Sequence, residues 1–198
     1  MQTAMTASTS RGRAGTATRA RILAAANELF YADGIRATSA DRIIEQVGIT
    51  KVTFYRHFPS KGDLVVAYLE QQAADERAWM QSMRRPGDPA ATLGALAAGI
   101  GEASGNPGFR GCAFINAAAE FSDAGDPVRA AIDLHRQWIF DEFASIAADA
   151  GSTAPVPVAR QLMILRDGAM VNGCLGDSAS LCDSLTQAFA SVLGTTSA

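Results

Sequence analysis

The sequence predicts an all-α protein, in which an N-terminal three-helix domain is followed by a six-helix domain. Apolar residues recur at the three- and four-residue spacing of helices, and no segment alternates as a half-buried strand does. Gly, Pro, Ser and Asp cluster in separators such as "RRPGDP" and "GSTAPVP", which divide the chain into helix-length segments. The 198 residues, 48% of them hydrophobic, are enough to bury a substantial core.

The first predicted helix covers residues 18–33. Its apolar positions form one stripe, Thr18 is a suitable N-cap, and Gly34 stops the helix. Residues 1–17 contain arginines but no apolar core of a signal peptide, so they are predicted to be a flexible basic arm.

The second and third predicted helices, residues 39–47 and 51–57, are joined by the turn "VGIT". A glycine-containing turn of this length is typical of a helix-turn-helix. Thr38 or Ser39 caps the second helix, and Pro59 cannot continue the third. Neither short helix is stable alone in water, so both are expected to pack against the first.

The motif "SKGD" predicts a capping box with Ser60 as N-cap, which begins a fourth helix ending near Arg85. Five further helices are predicted at residues 89–103, 112–122, 127–150, 156–176 and 179–193.

Charge is unevenly distributed along the chain. Residues 1–61 contain nine Lys and Arg against four Asp and Glu, whereas the remainder contains eight against sixteen. A basic first third attached to an acidic remainder indicates two separate roles, although chance could also produce the asymmetry. No apolar run approaches the ~18 residues of a membrane span. Three cysteines without metal-type spacing favour a reduced, cytoplasmic protein without a metal or other cofactor.

The third helix has two contrasting sides. On a helical wheel Phe54 and Phe58 point inward, whereas Val52, Thr53 and Arg56 lie opposite. Arginine can bind guanine edges, and apolar groups can contact the thymine methyl, so this face suits a major groove. Four flanking side chains can donate to phosphates: Lys51, Tyr55, His57 and Lys61. The alternative is an ordinary helix face directed to solvent.

Residues 38–69, "TSADRIIEQVGITKVTFYRHFPSKGDLVVAYL", resemble the DNA-binding region of the TetR/AcrR family of bacterial one-component transcriptional regulators. The most specific part of the resemblance is this set: Thr53, Phe54, Tyr55, His57, Phe58, Ser60 and Lys61. It implies an all-helical homodimer with a helix-turn-helix DNA-binding domain, residues 18–59, and a ligand-binding and dimerisation domain, residues 60–198.

The resemblance also implies which residues contact DNA. They are Lys51, Val52, Thr53, Tyr55, Arg56, His57 and Lys61, with phosphate contacts from Thr38 and Ser39. Position 41 departs from relatives that have a base-contacting basic residue there, because this chain has Asp41. Neighbouring Arg42 is the expected substitute.

The second domain contains candidates for an effector pocket. Polar residues in apolar surroundings are informative, because burying an unpaired polar group costs about 1–3 kcal/mol. Such residues are Asn116, Glu120, His135, Arg166 and Asn172, and a hydrogen-bonded structural role is favoured for His135. The predicted pocket residues are Trp79, Met83, Phe114, Glu120, Phe121, His135, Trp138 and Met170. Each of the aromatic and methionine side chains could equally belong to a plain core.

The last two helices carry wide apolar stripes, which predict a dimer interface. The predicted interface residues are Leu162, Leu165, Ala169, Gly173, Leu181, Leu185 and Phe189. Burial within one subunit is the alternative.

These patterns favour a ligand-responsive DNA-binding regulator rather than an enzyme. The expected form is a repressor released from a palindromic operator by a small apolar or amphipathic molecule. Its expected partners are double-stranded operator DNA, that effector and a second copy, with no membrane partner. Two alternatives remain: a redox-responsive regulator using Cys112, Cys174 or Cys182, and an enzyme using Cys112 with His135.

Overall fold

The computed structural model describes residues 3–176 and 180–194, with side chains from residue 15 onward, and these segments form helices without any strand. The helices are α1 (Thr3–Asp33), α2 (Ala40–Val47), α3 (Lys51–His57), α4 (Lys61–Met83), α5 (Pro89–Ser104), α6 (Ala113–Glu120), α7 (Pro127–Asp149), α8 (Pro155–Leu175) and α9 (Leu181–Gly194). The described helices include none with the length and apolar character needed to cross a membrane. The chain divides into two compact units, residues 1–71 and 72–198, and α4 contributes to both.

In the first unit, hydrogen-bonded caps define the helix-turn-helix. Ser39 Oγ accepts from the backbone N–H of Arg42 at 3.2 Å, and Thr50 Oγ1 accepts from that of Thr53 at 3.2 Å. Gly48 ends α2 in the left-handed region at φ +70°, where glycine avoids the Cβ strain of other residues. The predicted turn and the Ser39 alternative for the N-cap are thus confirmed.

A continuous apolar core holds α3 against the rest of this unit. Phe54 and Phe58 are 0% and 2% exposed, which confirms that they face inward. The guanidinium of Arg19 lies over the Phe58 ring, 4.7 Å from its centroid. Phe30 of α1 meets Tyr68 of α4 edge to face at 5.6 Å, so the first half of α4 completes the core.

In the second unit, α8 packs against α7 and α9, and α5 packs against α9. Phe143 of α7 and Phe189 of α9 meet edge to face at 5.9 Å in the core. At the end of α4, Arg84 binds the carboxylates of Glu142 at 2.6 Å and Asp149 at 3.0 Å. These ion pairs fasten the end of α4 to α7.

The predicted boundaries need three corrections. The first helix begins at Thr3 rather than Thr18, and no proline interrupts residues 3–17. The fourth helix ends at Met83, where Arg85 begins to donate to the last carbonyls. The sixth is shorter than predicted, at Ala113–Glu120. Parts of the predicted arm, last helix and second domain (residues 1–2, 177–179 and 195–198) lie outside the described residues.

Candidate nucleic-acid interface

The exposed side of α3 presents an apolar, aromatic and cationic surface. Val52 is 78% exposed and Tyr55 is 47% exposed, and Arg56 is also exposed. Arg56 forms no ion pair with another described side chain. We call Val52, Tyr55 and Arg56 the α3 outer face. Its helix is too short to hold this orientation alone, so the inward phenylalanines position it.

Two residues predicted to contact DNA point into the unit instead. Thr38 is 0% exposed, and its hydroxyl lies 2.9 Å from the Gly34 carbonyl and 3.3 Å from that of Leu29. The Thr38 hydroxyl is therefore directed into the unit, where it stabilises the connection between α1 and α2. His57 is half-buried, and its Nε2 is buried without a hydrogen-bond partner among the described residues. In this arrangement that nitrogen does not reach a phosphate.

Two cations near the α3 outer face are held by carboxylates of the same chain. Arg42 was predicted to replace the basic residue that relatives have at position 41. It forms an ion pair with Asp33, the last residue of α1, at 2.7 Å. Lys51 binds Asp41 through both carboxylate oxygens, at 2.8 and 2.9 Å. The hydrogen bond from Asp41 and its charge raise the pKa of Lys51. Both pairs lie on the exposed surface of the unit.

The remaining predicted DNA contacts lie at helix beginnings. Ser39 is exposed at the N-cap of α2, and Thr53 is half-buried, with its hydroxyl 3.0 Å from that of Thr50. At α4, Ser60 Oγ accepts from the Asp63 N–H at 3.1 Å, which confirms the predicted capping box. Lys61 follows directly as the half-buried first residue of α4.

A polar cluster lies inside the second unit, with one residue on each of three helices. Glu76 of α4 binds Arg166 of α8 at 2.5 Å and the His135 Nε2 of α7 at 2.9 Å. Arg166 also binds Asp167 at 3.0 Å and lies 3.7 Å from the Cys112 sulfur. Arg166 and His135 are only 3% and 1% exposed. We call Glu76, His135 and Arg166 the polar cluster.

Electrostatics explain why the charges in the polar cluster are tolerated. Burial disfavours ionised Glu76, but the Arg166 charge and the His135 hydrogen bond outweigh it and lower the pKa of Glu76 to about 2. Burial likewise disfavours the Arg166 cation, and the charge of Glu76 outweighs it and raises the pKa of Arg166. Removal of either partner leaves the other charge buried and uncompensated, which destabilises the folded protein.

Some predicted pocket residues meet around this cluster. Phe114 stacks on His135 with centroids 3.7 Å apart, and Trp138 lies 6.5 Å beyond His135. His135 thus has the hydrogen-bonded role favoured for it, although its Nδ1 has no partner among the described residues. Trp138 also packs, half-buried, against the apolar core, as do three other predicted pocket residues: Trp79, Met83 and Met170. Glu120 and Phe121 are half-buried around the end of α6.

Sequence reasoning missed Glu76 and misplaced two polar residues. Glu76 lies in the polar run "EQQAADER", yet it shares helical spacing with Leu69, Ala73 and Met80, which are buried. That spacing was the signal that could have identified it. Asn116 and Asn172 are exposed rather than buried, and each donates to a nearby backbone carbonyl.

The stripes predicted as a dimer interface face the interior of the chain. Leu162 and Phe189 are 0% exposed, and Leu185 is 4% exposed. A Cβ on Gly173 would lie 2.5 Å from Ser104, so this glycine serves packing within the chain. The other predicted residues are buried or half-buried: Leu165, Ala169 and Leu181. Most of this stripe therefore packs inside the chain, which favours the alternative of burial within one subunit.

The enzyme alternative has no matching geometry among the described side chains, because Cys112 and the His135 Nε2 have other partners. Cys112 is buried with its sulfur against Arg166, whereas the His135 Nε2 binds Glu76. Cys174 is exposed, and Cys182 is half-buried. Within the described ranges, no three His, Cys, Asp or Glu side chains are grouped as metal ligands would be.

Comparisons with known proteins match both the first unit by itself and nearly the whole chain. Residues 22–68 match the model of the bacterial regulatory proteins of the tetR family. This chain is 39% identical in sequence to a TetR-family transcriptional regulator from Streptomyces coelicolor, and comparison with the crystal structure of that protein gives a TM-score of 0.87. That similarity covers 91% of this chain and 96% of the S. coelicolor chain.

Curated relatives match over a shorter stretch. The HTH-type transcriptional regulator TtgR of Pseudomonas putida is 42% identical over 53 residues, and the HTH-type transcriptional activator FasR of Mycolicibacterium smegmatis is 38% identical over 53 residues. Each match covers 27% of this chain, and the chain matches only 25% of TtgR and 24% of FasR.

Proposed function

The chain belongs to the TetR family of bacterial transcriptional regulators, and from this premise we propose that it is a DNA-binding repressor released by a small apolar or amphipathic effector. In this proposal residues 18–59 are the DNA-binding domain, residues 60–198 bind the effector and dimerise, and residues 1–17 are a basic arm. In this proposal the protein acts in the cytoplasm, where cysteines remain reduced.

The observation that carries the proposal is the α3 outer face. A helix that anchors two phenylalanines inward and presents Val52, Tyr55 and Arg56 outward has the form of a recognition helix. Arg56 can donate to a guanine edge, and Val52 can meet a thymine methyl. Around this face, Ser39, Arg42, Thr53 and Lys61 are proposed to contact the DNA.

Base and phosphate contacts predict different effects of substitution. Arg56→Ala should cost about 1–3 kcal/mol and relax preference at one base, whereas Lys61→Ala should weaken all sequences and flatten the salt slope by about one unit. Fluorescence anisotropy measures the affinity, base preference and salt slope of both variants on duplexes that the wild-type protein selects from a random pool. Arg160→Ala, an exposed arginine of α8, is the matched control and should change neither quantity. Normal binding and base preference in both test variants would refute the assignment of this surface.

The polar cluster and its aromatic neighbours support an effector site in the second unit. Phe114 and Trp138 supply apolar, stackable surface, while His135 keeps one buried ring nitrogen without a partner among the described residues. An amphipathic molecule matches this combination of apolar and polar groups. Release from DNA requires the effector to bind one conformation more tightly than the other.

A dimer gives the repressor its proposed operator symmetry. Exposed apolar side chains repeat along α8 at Ile164, Val171 and Leu175, which are 66%, 46% and 79% exposed. We place the dimer contact on this face, with α9 beside it. Two α3 outer faces then bind half-sites about 34–36 Å apart. FasR is named an activator, so the sign of regulation is tested by transcription from bound promoters after the gene is deleted, where repression predicts an increase.

A further inference from the structure

The ion pair between Asp41 and Lys51 lies beside the proposed DNA-binding surface. Asp41 is in the first turn of α2, and Lys51 is the first residue of α3. The ammonium group contacts both carboxylate oxygens, at 2.8 and 2.9 Å, and the two side chains are 64% and 66% exposed. Lys51 is one of the residues that the family resemblance implies as DNA contacts.

This pairing affects the charge that Lys51 can offer to a phosphate. A lysine that neutralises a phosphate releases condensed counterions from DNA, and this release makes binding salt-dependent. With a carboxylate about 3 Å from its ammonium group, Lys51 is already neutralised, and an approaching phosphate also meets the Asp41 charge. Asp41 lies in the first turn of α2, at the positive end of the helix dipole, where a negative charge is favoured.

We propose that Asp41 is a positioning residue that holds Lys51 away from the DNA backbone, and so removes one phosphate contact from sequence-independent binding. The inference rests on the proposed function. The affinity of the protein for any DNA is consequently lower than the count of its surface cations indicates. Base preference remains with the α3 outer face, because Arg56 has no competing carboxylate among the described side chains.

The test compares the salt dependence of binding for full-length variants. Asp41→Asn frees Lys51, so the slope of log K against log salt on a random-sequence duplex should steepen by about 0.9. Affinity should rise by roughly five- to tenfold at about 0.1 M salt. Asp41→Asn with Lys51→Met deletes the whole pair and should restore the wild-type slope. Asp41→Glu keeps the pair and should behave as wild type.

Two further measurements separate this mechanism from others. Glu45→Gln removes one exposed acidic charge from the same helix without releasing a lysine, and should leave the slope unchanged. On a duplex selected from a random pool, Asp41→Asn should raise affinity by the same factor as on random DNA. A smaller rise there would instead make Asp41 a base-contacting residue and overturn the proposal.

Other results would also overturn it. An unchanged slope for Asp41→Asn, or the same steepening for Glu45→Gln, means that the pair does not restrain Lys51. A flatter slope for the double variant means that wild-type Lys51 already neutralises a phosphate. If these outcomes accompany a normal effect of Arg56→Ala, only this inference fails. Absence of DNA binding by the wild-type protein refutes the proposed function as well.

Discussion

At the scale of single residues, the carboxylate of Glu76 joins two buried groups from distant parts of the chain. It binds His135, which is 59 positions away, and Arg166, which is 90 positions away. Removal of one partner from a buried ion pair leaves the other uncompensated, and the cost is larger than the net contribution of the intact pair. Glu76 is therefore expected to matter for stability as well as for any effector.

The first prediction at this scale concerns Glu76→Gln at neutral pH. The amide cannot neutralise Arg166, so the free energy of unfolding should fall by about 3–5 kcal/mol. Urea unfolding followed by circular dichroism measures the change. Glu102→Gln, at an exposed position of α5, should remain within about 0.5 kcal/mol of wild type. Equal losses in both variants would contradict a special role for Glu76.

A second prediction follows from the lowered pKa of Glu76. Its pKa is about 2 in the folded protein against an ordinary value of 4.5, so the unfolded chain takes up this proton first. The contribution of Glu76 to stability is complete above pH 4.5 and is lost as pH falls from 4.5 through 2. Over that range, wild type should lose more stability than Glu76→Gln. Parallel curves of unfolding free energy against pH would be the contrary result.

At the scale of elements, the turn between α2 and α3 depends on one backbone conformation. Gly48 lies at φ +70°, and nothing lies within 4 Å of a Cβ built there. Substitution is therefore limited by backbone strain rather than by crowding. The orientation of α3 relative to α2 depends on this residue, together with the caps at Ser39 and Thr50.

A prediction isolates this strain from the loss of glycine as such. Gly48→Ala should destabilise the protein by about 1–2 kcal/mol, because a Cβ is unfavourable in the left-handed region. Gly94→Ala is the matched control, within α5 and also with open space around a Cβ. It should stabilise by roughly 0.5–1 kcal/mol. Thermal and urea unfolding measure both variants, and destabilisation of the same size at the two sites would rule out backbone strain as the cause.

At the scale of the whole molecule, the two faces of α8 have different roles. One face fills the core with Leu162 and Ala169, and the other exposes Ile164, Val171 and Leu175. Exposed apolar side chains in a row on a long helix favour an interface with another chain. Dimer formation by this face would bring two DNA-binding units to one operator.

The corresponding prediction uses charge to disrupt that contact. Ile164→Glu should weaken self-association by more than tenfold, because a desolvated, unpaired carboxylate at an interface costs several kcal/mol. Sedimentation equilibrium measures the dimer dissociation constant. Val52→Glu is the control, since Val52 is also highly exposed but lies on α3. Unaltered association of the Ile164 variant would place the dimer contact elsewhere.

The sequence by itself determined the helical class, the cap at Ser60, and the inward direction of Phe54 and Phe58. It narrowed the α2 cap to Thr38 or Ser39. These features depend on residues within one or two helical turns of each other, so capping chemistry and hydrophobic periodicity in the sequence predict them directly. The turn at Gly48 was predictable for the same reason. Family membership could likewise be inferred, because its most specific residues are consecutive or nearly so along the chain.

Only the tertiary structure decided which groups those local features meet. Lys51 binds Asp41, Arg42 binds Asp33, and Glu76 binds Arg166, so three charges have partners that spacing along the chain does not reveal. The tertiary structure also decided which face of α8 is buried in the core, because both faces of this helix carry apolar residues. Periodicity gives the direction of a side chain around its own helix. What that side chain touches depends on how the helices pack.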